Sequence, residues 1–257
     1  LIGLLHPGAM GTALGSALVG AGQEVAWCSA GRSADTAHRA AAAGFTDVAT
    51  IQRLLSSCSM VVAVCPPEGA VELATEVSGY EGVYVDANAI SPATAERIGQ
   101  LVSEGGGSYV DASIIGLPPT AAGKTRLYLS GAQAETVAAA FAGSWFDARV
   151  IGSDASRASA LKMAYAGWTK GSTALLLAIS AMASELGVAE VLHAEWDESQ
   201  PGLTVRAEQA AASVRDKAWR WIFEMAEVGH SLDAVGLPGD FGRAAAAIYE
   251  QVRDERS

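Results

Sequence analysis

Lys162 lies in the run Leu161-Lys162-Met163-Ala164-Tyr165-Ala166, a cation in an apolar segment with helical spacing. Burial disfavours the charged form of an amine, so a lysine held there tends toward a lowered pKa and suits proton transfer near neutral pH. A lysine that snorkels out to water fits the same position. Tyr165 and Thr169 follow three and seven residues on, along one helical face, with Lys170 one residue further. Tyr165 could donate to a substrate oxygen, or its hydroxyl could bond only to backbone. Ser113, at the end of a predicted strand, and Trp196, Trp221 and His230 in the second half could line a substrate site; each also reads as a core or interface side chain. The histidines are isolated, and Cys28, Cys58 and Cys65 show no metal-ligand spacing, so the expectation is no metal and three reduced thiols.

A proton donor of this kind is useful only beside a reactive group, and the opening of the chain suggests which. Leu1 to Leu5 is a short apolar run, His6 to Gly11 a glycine-rich turn, Thr12 to Ala21 small and apolar at helical spacing, and Glu24 to Cys28 a second strand. Strand, tight turn, helix, strand is the start of a dinucleotide-binding unit. Gly8 leaves the backbone bare where a pyrophosphate would approach, Ala9 and Met10 follow it at the helix N-terminus, and Gly11 allows close helix-to-strand packing. The usual pattern has one more glycine where this chain has His6, so the fingerprint is incomplete. A glycine-rich connection without a ligand is the competing reading.

The segment after the second strand, Ser29-Ala30-Gly31-Arg32-Ser33, carries no carboxylate to accept from a ribose 2′-hydroxyl. Arg32 can pair with a 2′-phosphate, and Ser29 and Ser33 can donate hydroxyls to it, which points to NADP(H) as cofactor. A merely solvated arginine is the alternative.

The net charge of −11 argues against a nucleic-acid surface or an anionic membrane as partner. The first 23 residues are uncharged, but six glycines and Pro7 interrupt them without a basic leading segment, so neither a signal peptide nor an anchor is expected, and the protein reads as cytoplasmic.

Beyond the first unit, helices are predicted over Asp35–Gly44, Ile51–Ser56, Ala70–Val77, from Ser91 onward, and over Ala134–Ala142. Strands are predicted over Met60–Cys65, Gly82–Asp86, Ser108–Ser113, Leu127–Gly131 and Ala148–Ile151, with Phe45–Val48 a connection. This alternation is an α/β doubly wound parallel sheet, in which Cys65, Pro66, Pro67 and Asn88 fall at carboxyl ends of strands, where the cofactor should lie. From Ser156 on the period is helical throughout, with a long helix to Leu186, then Ala189–Asp197, Val205–Val235 and Phe241–Val252. The expected organisation is a Rossmann-type NADP-binding domain over 1–151, an all-α substrate and dimerisation domain over 152–257, and an active site in the cleft between them.

These residues resemble the β-hydroxyacid dehydrogenase superfamily, which includes 6-phosphogluconate dehydrogenase and the imine reductases. Gly3, Gly8, Met10 and Gly11 match its opening motif, Asp111-Ala112-Ser113-Ile114-Ile115-Gly116-Leu117 aligns with its second, and the catalytic lysine of the family aligns on Lys162. The segment Lys217 to Tyr249 looks like the helical domain of an actinobacterial-type branch. The resemblance implies a homodimer packed through helical domains, with Lys162 as proton donor, and hydride transfer to a small carbonyl or imine. Departures stand at His6, at Ile115 for a substrate-binding serine, at Leu117 for a glycine and at Ala166 for an asparagine. They count against 6-phosphogluconate or a simple 3-hydroxy acid, since a buried anion without partners is costly. An imine reductase, with Tyr165 serving, and a non-catalytic NADPH-binding sensor or scaffold are the alternatives.

Overall fold

The computed structural model describes residues 1–119, 121–214 and 217–254. The chain divides into two compact units, Leu1–Lys162 and Met163–Ser257.

The first unit is built on one sheet. Its strands are β1 (Ile2–Leu4), β2 (Val25–Trp27), β3 (Thr46–Asp47), β4 (Met60–Ala63), β5 (Val83–Asp86), β6 (Ser108–Ile115), β7 (Thr125–Ser130) and β8 (Phe146–Val150), in the order β3-β2-β1-β4-β5-β6-β7-β8. Helices α1 (Ala9–Gly20), α2 (Ala34–Ala42), α3 (Ile51–Ser57), α4 (Ala70–Glu76), α5 (Pro92–Glu104) and α6 (Ala134–Ala140) connect them. Unbroken apolar strands such as Met60-Val61-Val62-Ala63 are what a sheet covered on both faces demands. Alternate residues feed opposite cores: Met60 and Val62 join Leu4, Leu14, Leu18 and Trp27, while Val61 and Ala63 join Leu5, Leu54, Tyr84 and Ile98. The strand order reverses direction between β1 and β4, and ligands of such sheets bind outside the carboxyl ends at that point.

Several expectations are corrected. Phe45–Val48 is more than a connection: Thr46 and Asp47 pair with Ala26 and Trp27 as edge strand β3. A two-residue strand has no periodicity to read. The sheet is not wholly parallel, because β7 runs antiparallel to β6, with Ser113 opposite Tyr128. The connection from Gly116 to Lys124 is too short for the crossover that a parallel return requires. Strand β4 stops at Ala63, short of Cys65, because the Cys65 N–H leaves the ladder for the Asn88 side chain. Helix α1 begins at Ala9, a turn earlier than predicted.

Helix α7 (Arg157–Glu185) starts in the first unit and continues into the second, where α8 (Ala189–Ser199), α9 (Leu203–Val214), α10 (Ala218–Ala234) and α11 (Asp240–Asp254) follow. Where a single helix was expected over Val205–Val235, the described residues form α9 and α10; Arg215 and Asp216 lie outside the described residues. Helices α10 and α11 cross with their backbones close together, since a Cβ on Gly242 would stand 2.5 Å from the Gly229 nitrogen. Met225 and Val228 of α10 and Ala245 and Tyr249 of α11 are buried. Among the described residues no helix is long and apolar enough to cross a membrane.

Candidate functional site

Gly8 caps α1 in extended backbone (φ −71°, ψ −173°), no side chain caps the helix, and its first turn holds no acidic residue. The N-terminus is thus left to attract an anion. Nothing lies within 4 Å of where a Gly8 Cβ would be, whereas a Cβ on Gly11 would meet the His6 carbonyl oxygen at 2.1 Å. Gly11 serves the protein's own packing, and Gly8 borders open space beside Ala9 and Met10. His6 is half-buried and its Nδ1 has no partner among the described residues. Burial, reinforced by the Arg32 charge, lowers its pKa to about 4, so the imidazole is neutral near pH 7.

Arg32 donates from Nη2 to the Leu5 carbonyl at 3.3 Å, which ties the β2–α2 loop to the β1–α1 turn, while its buried Nε has no partner among the described residues. Ser33 caps α2, its Oγ accepting from the Thr36 N–H at 3.3 Å. Two neighbours escaped the sequence reading. Arg39 donates from Nη2 to Thr36 Oγ1 at 3.0 Å and from Nε to the Pro7 carbonyl at 3.4 Å, placing a second guanidinium beside the same loop. Its position three residues after Thr36, on a helix capped at Ser33, was the available signal. Asp47 reaches the loop from β3, where Oδ1 accepts from the N–H groups of Ser29 (3.1 Å) and Ala49 (2.8 Å). The hydrogen bonding with Ser29 holds its pKa below the ordinary value. The segment itself carries no carboxylate, but the folded loop has one through space.

At the ends of β4 and β5, Asn88 Oδ1 accepts from the Cys65 N–H at 2.6 Å and the Asn88 N–H donates to Asp86 Oδ1 at 2.9 Å. Asn88 Nδ2 is buried without a partner among the described residues. Pro66 is extended and Pro67 opens a short 3₁₀ turn to Gly69. The Cys65 thiol is pushed up to about 12, first by burial and then by the Asp86 charge, so it is a packing group rather than a nucleophile.

The end of β6 supplies the remaining groups. Lys162 Nζ donates to the Ile114 carbonyl at 2.7 Å, and the side chain is half-buried. Ser113 Oγ, two strand positions after Asp111, is buried without a partner among the described residues. Ile115, at the position of the family's serine, is buried, and Leu117 is exposed. On α7 beyond the first unit, Tyr165 is exposed and Thr169 Oγ1 donates back to the Tyr165 carbonyl at 2.9 Å. Trp221 is engaged inside the helical unit, edge-on to Tyr249 with ring centroids 5.3 Å apart. Trp196 is buried against His193, and His230 is exposed beside Glu227. Among the described residues no group of three or more side chains could hold a metal ion.

The first unit thus gathers Gly8, Ala9, Met10, Ser29, Arg32 and Ser33 at the ends of β1 and β2, Cys65, Pro66, Pro67 and Asn88 at the ends of β4 and β5, and Ser113 with Lys162 along β6. The open space at Gly8 and the orphaned Asn88 amide and Arg32 Nε suit a phosphate-bearing, hydrogen-bonding ligand.

Residues 1–142 match the NAD binding domain of 6-phosphogluconate dehydrogenase, and residues 183–252 match a domain of unknown function. An uncharacterised 28.5 kDa protein of Methanothermus fervidus is 31% identical over 172 residues; the match covers 66% of this chain and 65% of that relative's length. Among solved structures, a conserved protein of unknown function, described as structurally similar to 3-hydroxyacid dehydrogenases, is 28% identical with a TM-score of 0.76, covering 99% of this chain and 97% of its own. A Mycobacterium tuberculosis 3-hydroxyisobutyrate dehydrogenase, solved with L-serine, is 19% identical with a TM-score of 0.75, covering 99% and 94%, which shows a shared fold. With more than half of its residues inside the first match, the chain belongs to the family defined by the NAD binding domain of 6-phosphogluconate dehydrogenase.

Proposed function

We propose that the protein is an NADP(H)-dependent oxidoreductase of the β-hydroxyacid dehydrogenase type, acting on a small carbonyl or hydroxy compound, or on the corresponding imine or amine. The observation that carries the reading is Lys162, held by the Ile114 carbonyl at 2.7 Å in the same unit as the glycine turn and the arginine loop. When bound, the nicotinamide supplies or accepts the hydride. The backbone at Gly8, Ala9 and Met10 would hold the pyrophosphate. Arg32, with Ser29, Ser33 and the neighbouring Arg39, would take the 2′-phosphate, since paired guanidinium groups favour a dianion that Asp47 alone would repel. Cys65, Pro66, Pro67 and Asn88 would line the nicotinamide side, with the Asn88 amide as a donor.

In reduction the Lys162 ammonium gives one proton to the substrate oxygen or nitrogen as the adjacent carbon accepts hydride; in oxidation the neutral amine takes that proton back. Ser113 would position the substrate, and Tyr165, Thr169 and Trp221 are the residues of the helical unit assigned to it. Residues 1–151 would carry the cofactor and 152–257 the substrate and dimer contacts.

Lys162→Met tests the assignment. With any compound that supports turnover in a screen of carbonyls, hydroxy acids and cyclic imines, the variant is expected to lose about 100-fold or more in kcat while NADPH affinity is kept. Unchanged turnover would remove Lys162 from the chemistry. Loss in Tyr165→Phe instead would favour the imine reductase reading.

A further inference from the structure

Helix α7 carries Lys162, yet its first turn is capped from the sheet. The Ala158 N–H donates to Ser130 Oγ of β7 at 3.0 Å, and the Ser159 N–H donates to Asp111 Oδ2 of β6 at 2.8 Å. Ser159 Oγ donates to Asp111 Oδ1 at 2.7 Å, and Ser130 Oγ donates to Asp111 Oδ2 at 3.3 Å. Asp111, Ser130 and Ser159 are all fully buried. A buried carboxylate that collects several donors and faces the positive end of a helix has a narrowly defined geometry. The two bonds between Asp111 and Ser159 join the same two elements as the Lys162 bond. Asp111 precedes Ile114 by three residues on β6, and Ser159 precedes Lys162 by three on α7, so the strand and the helix meet at two points.

We propose that Asp111 is a positioning residue for Lys162: with Ser130 and Ser159 it fixes the first turn of α7 against β6 and thereby the place of the lysine amine at the Ile114 carbonyl. The inference rests on the proposed role of Lys162. Asp111 touches no reacting atom. Its effect runs through the backbone of α7, where a shift of about 1 Å in a reacting group can cost about 100-fold in rate.

The test needs no identified substrate. The chain has four lysines, Lys124, Lys162, Lys170 and Lys217. Reductive methylation with ¹³C-formaldehyde gives each a resolvable methyl signal, assigned by single Lys→Arg variants and titrated in wild type, Asp111→Asn, Ser159→Ala and Ser159→Thr. The expected result is that the Lys162 signal alone changes its position and midpoint in Asp111→Asn and Ser159→Ala, that Ser159→Thr restores it, and that NADPH affinity stays within about threefold. Ser159→Ala keeps the backbone N–H bond, so it carries the test if Asp111→Asn does not fold. An unchanged Lys162 signal in both variants, or equal movement of all four lysines, would overturn the proposal. In turnover, Lys162→Met combined with Asp111→Asn should be no slower than Lys162→Met alone, and multiplying losses would contradict it. If Lys162→Met itself leaves turnover unchanged, the proposed function fails while the NMR result still decides the positioning role.

Discussion

Asp86 lies on β5 opposite Asp111 of β6, both side chains on one face of the sheet, and only 1% of Asp86 is exposed. Burial is the largest influence and raises its pKa to about 7, the Asp111 charge adds to the rise, and bonding from Asn88 opposes it. Asp111 is raised to about 6, chiefly by burial and against the bonds from Ser159. An unfolded aspartate titrates near about 3.9, so between roughly pH 4 and 7 the folded chain binds more protons, and stability falls as pH rises through that window. His6 works in the other direction, since its pKa drops from 6.5 to about 4 and stability is lost as pH falls through that range. The two effects oppose each other below about pH 6.5, and above it the aspartates act alone. The melting temperature should therefore decline from about pH 6.5 to about pH 8, and Asp86→Asn should remove most of that decline. A variant with the wild-type slope would show that Asp86 is not the titrating group.

At the scale of elements, the second unit is held by a different kind of contact. Lys170 of α7 and Glu224 of α10 form an ion pair with side chains only 13% and 12% exposed, the Lys170 ammonium lies 5.9 Å from the centre of the Trp221 ring, and the Tyr249 hydroxyl donates to the Lys170 carbonyl at 2.6 Å. Removing one partner of a buried pair leaves the other charge desolvated, at a cost of about 3–5 kcal/mol. Glu224→Ala should lose about 3 kcal/mol in urea unfolding, and Lys170→Met with Glu224→Leu should recover much of it. A loss under about 0.5 kcal/mol would mean that water reaches the pair. Elements were legible in the sequence where burial leaves a long pattern: Met60–Cys65 reads as a covered strand, of which Met60–Ala63 forms β4, and Ser91-Pro92 marks the start of α5, where Ser91 Oγ does accept from the Thr94 N–H at 3.3 Å. What could not be read depends on partners distant in the chain. Strand β3 exists only because Ala26 and Trp27 offer an edge, β7 is antiparallel because its connection is short, and Asp47 joins the Ser29–Ser33 loop through a bond to Ser29 from eighteen residues away. Arg39 was missed because the loop was read as a segment ending at Ser33, whereas the cap at Ser33 starts a helix whose next turn returns to it.

For the whole molecule, the family and the α/β fold were legible because the glycine turn and the later motif are local patterns, and the roles of the residues now rest on chemistry. Trp168, Leu175 and Met182, exposed at seven-residue spacing on α7, form an apolar stripe of the kind that packs helix to helix. Sedimentation equilibrium should give a homodimer, and Leu175→Glu with Met182→Glu should give a monomer; a wild-type monomer would contradict the stripe as an interface. Fluorescence titration of the purified protein with NADPH and with NADH, repeated on Arg32→Ala, decides whether the Arg32 loop selects a 2′-phosphate. NADPH should bind at least about tenfold more tightly than NADH, and Arg32→Ala should remove most of that difference by weakening NADPH alone. Equal affinity for the two nucleotides, or a preference that survives the substitution, would contradict the assignment of Arg32, and binding of neither would contradict a cofactor site at the His6 turn.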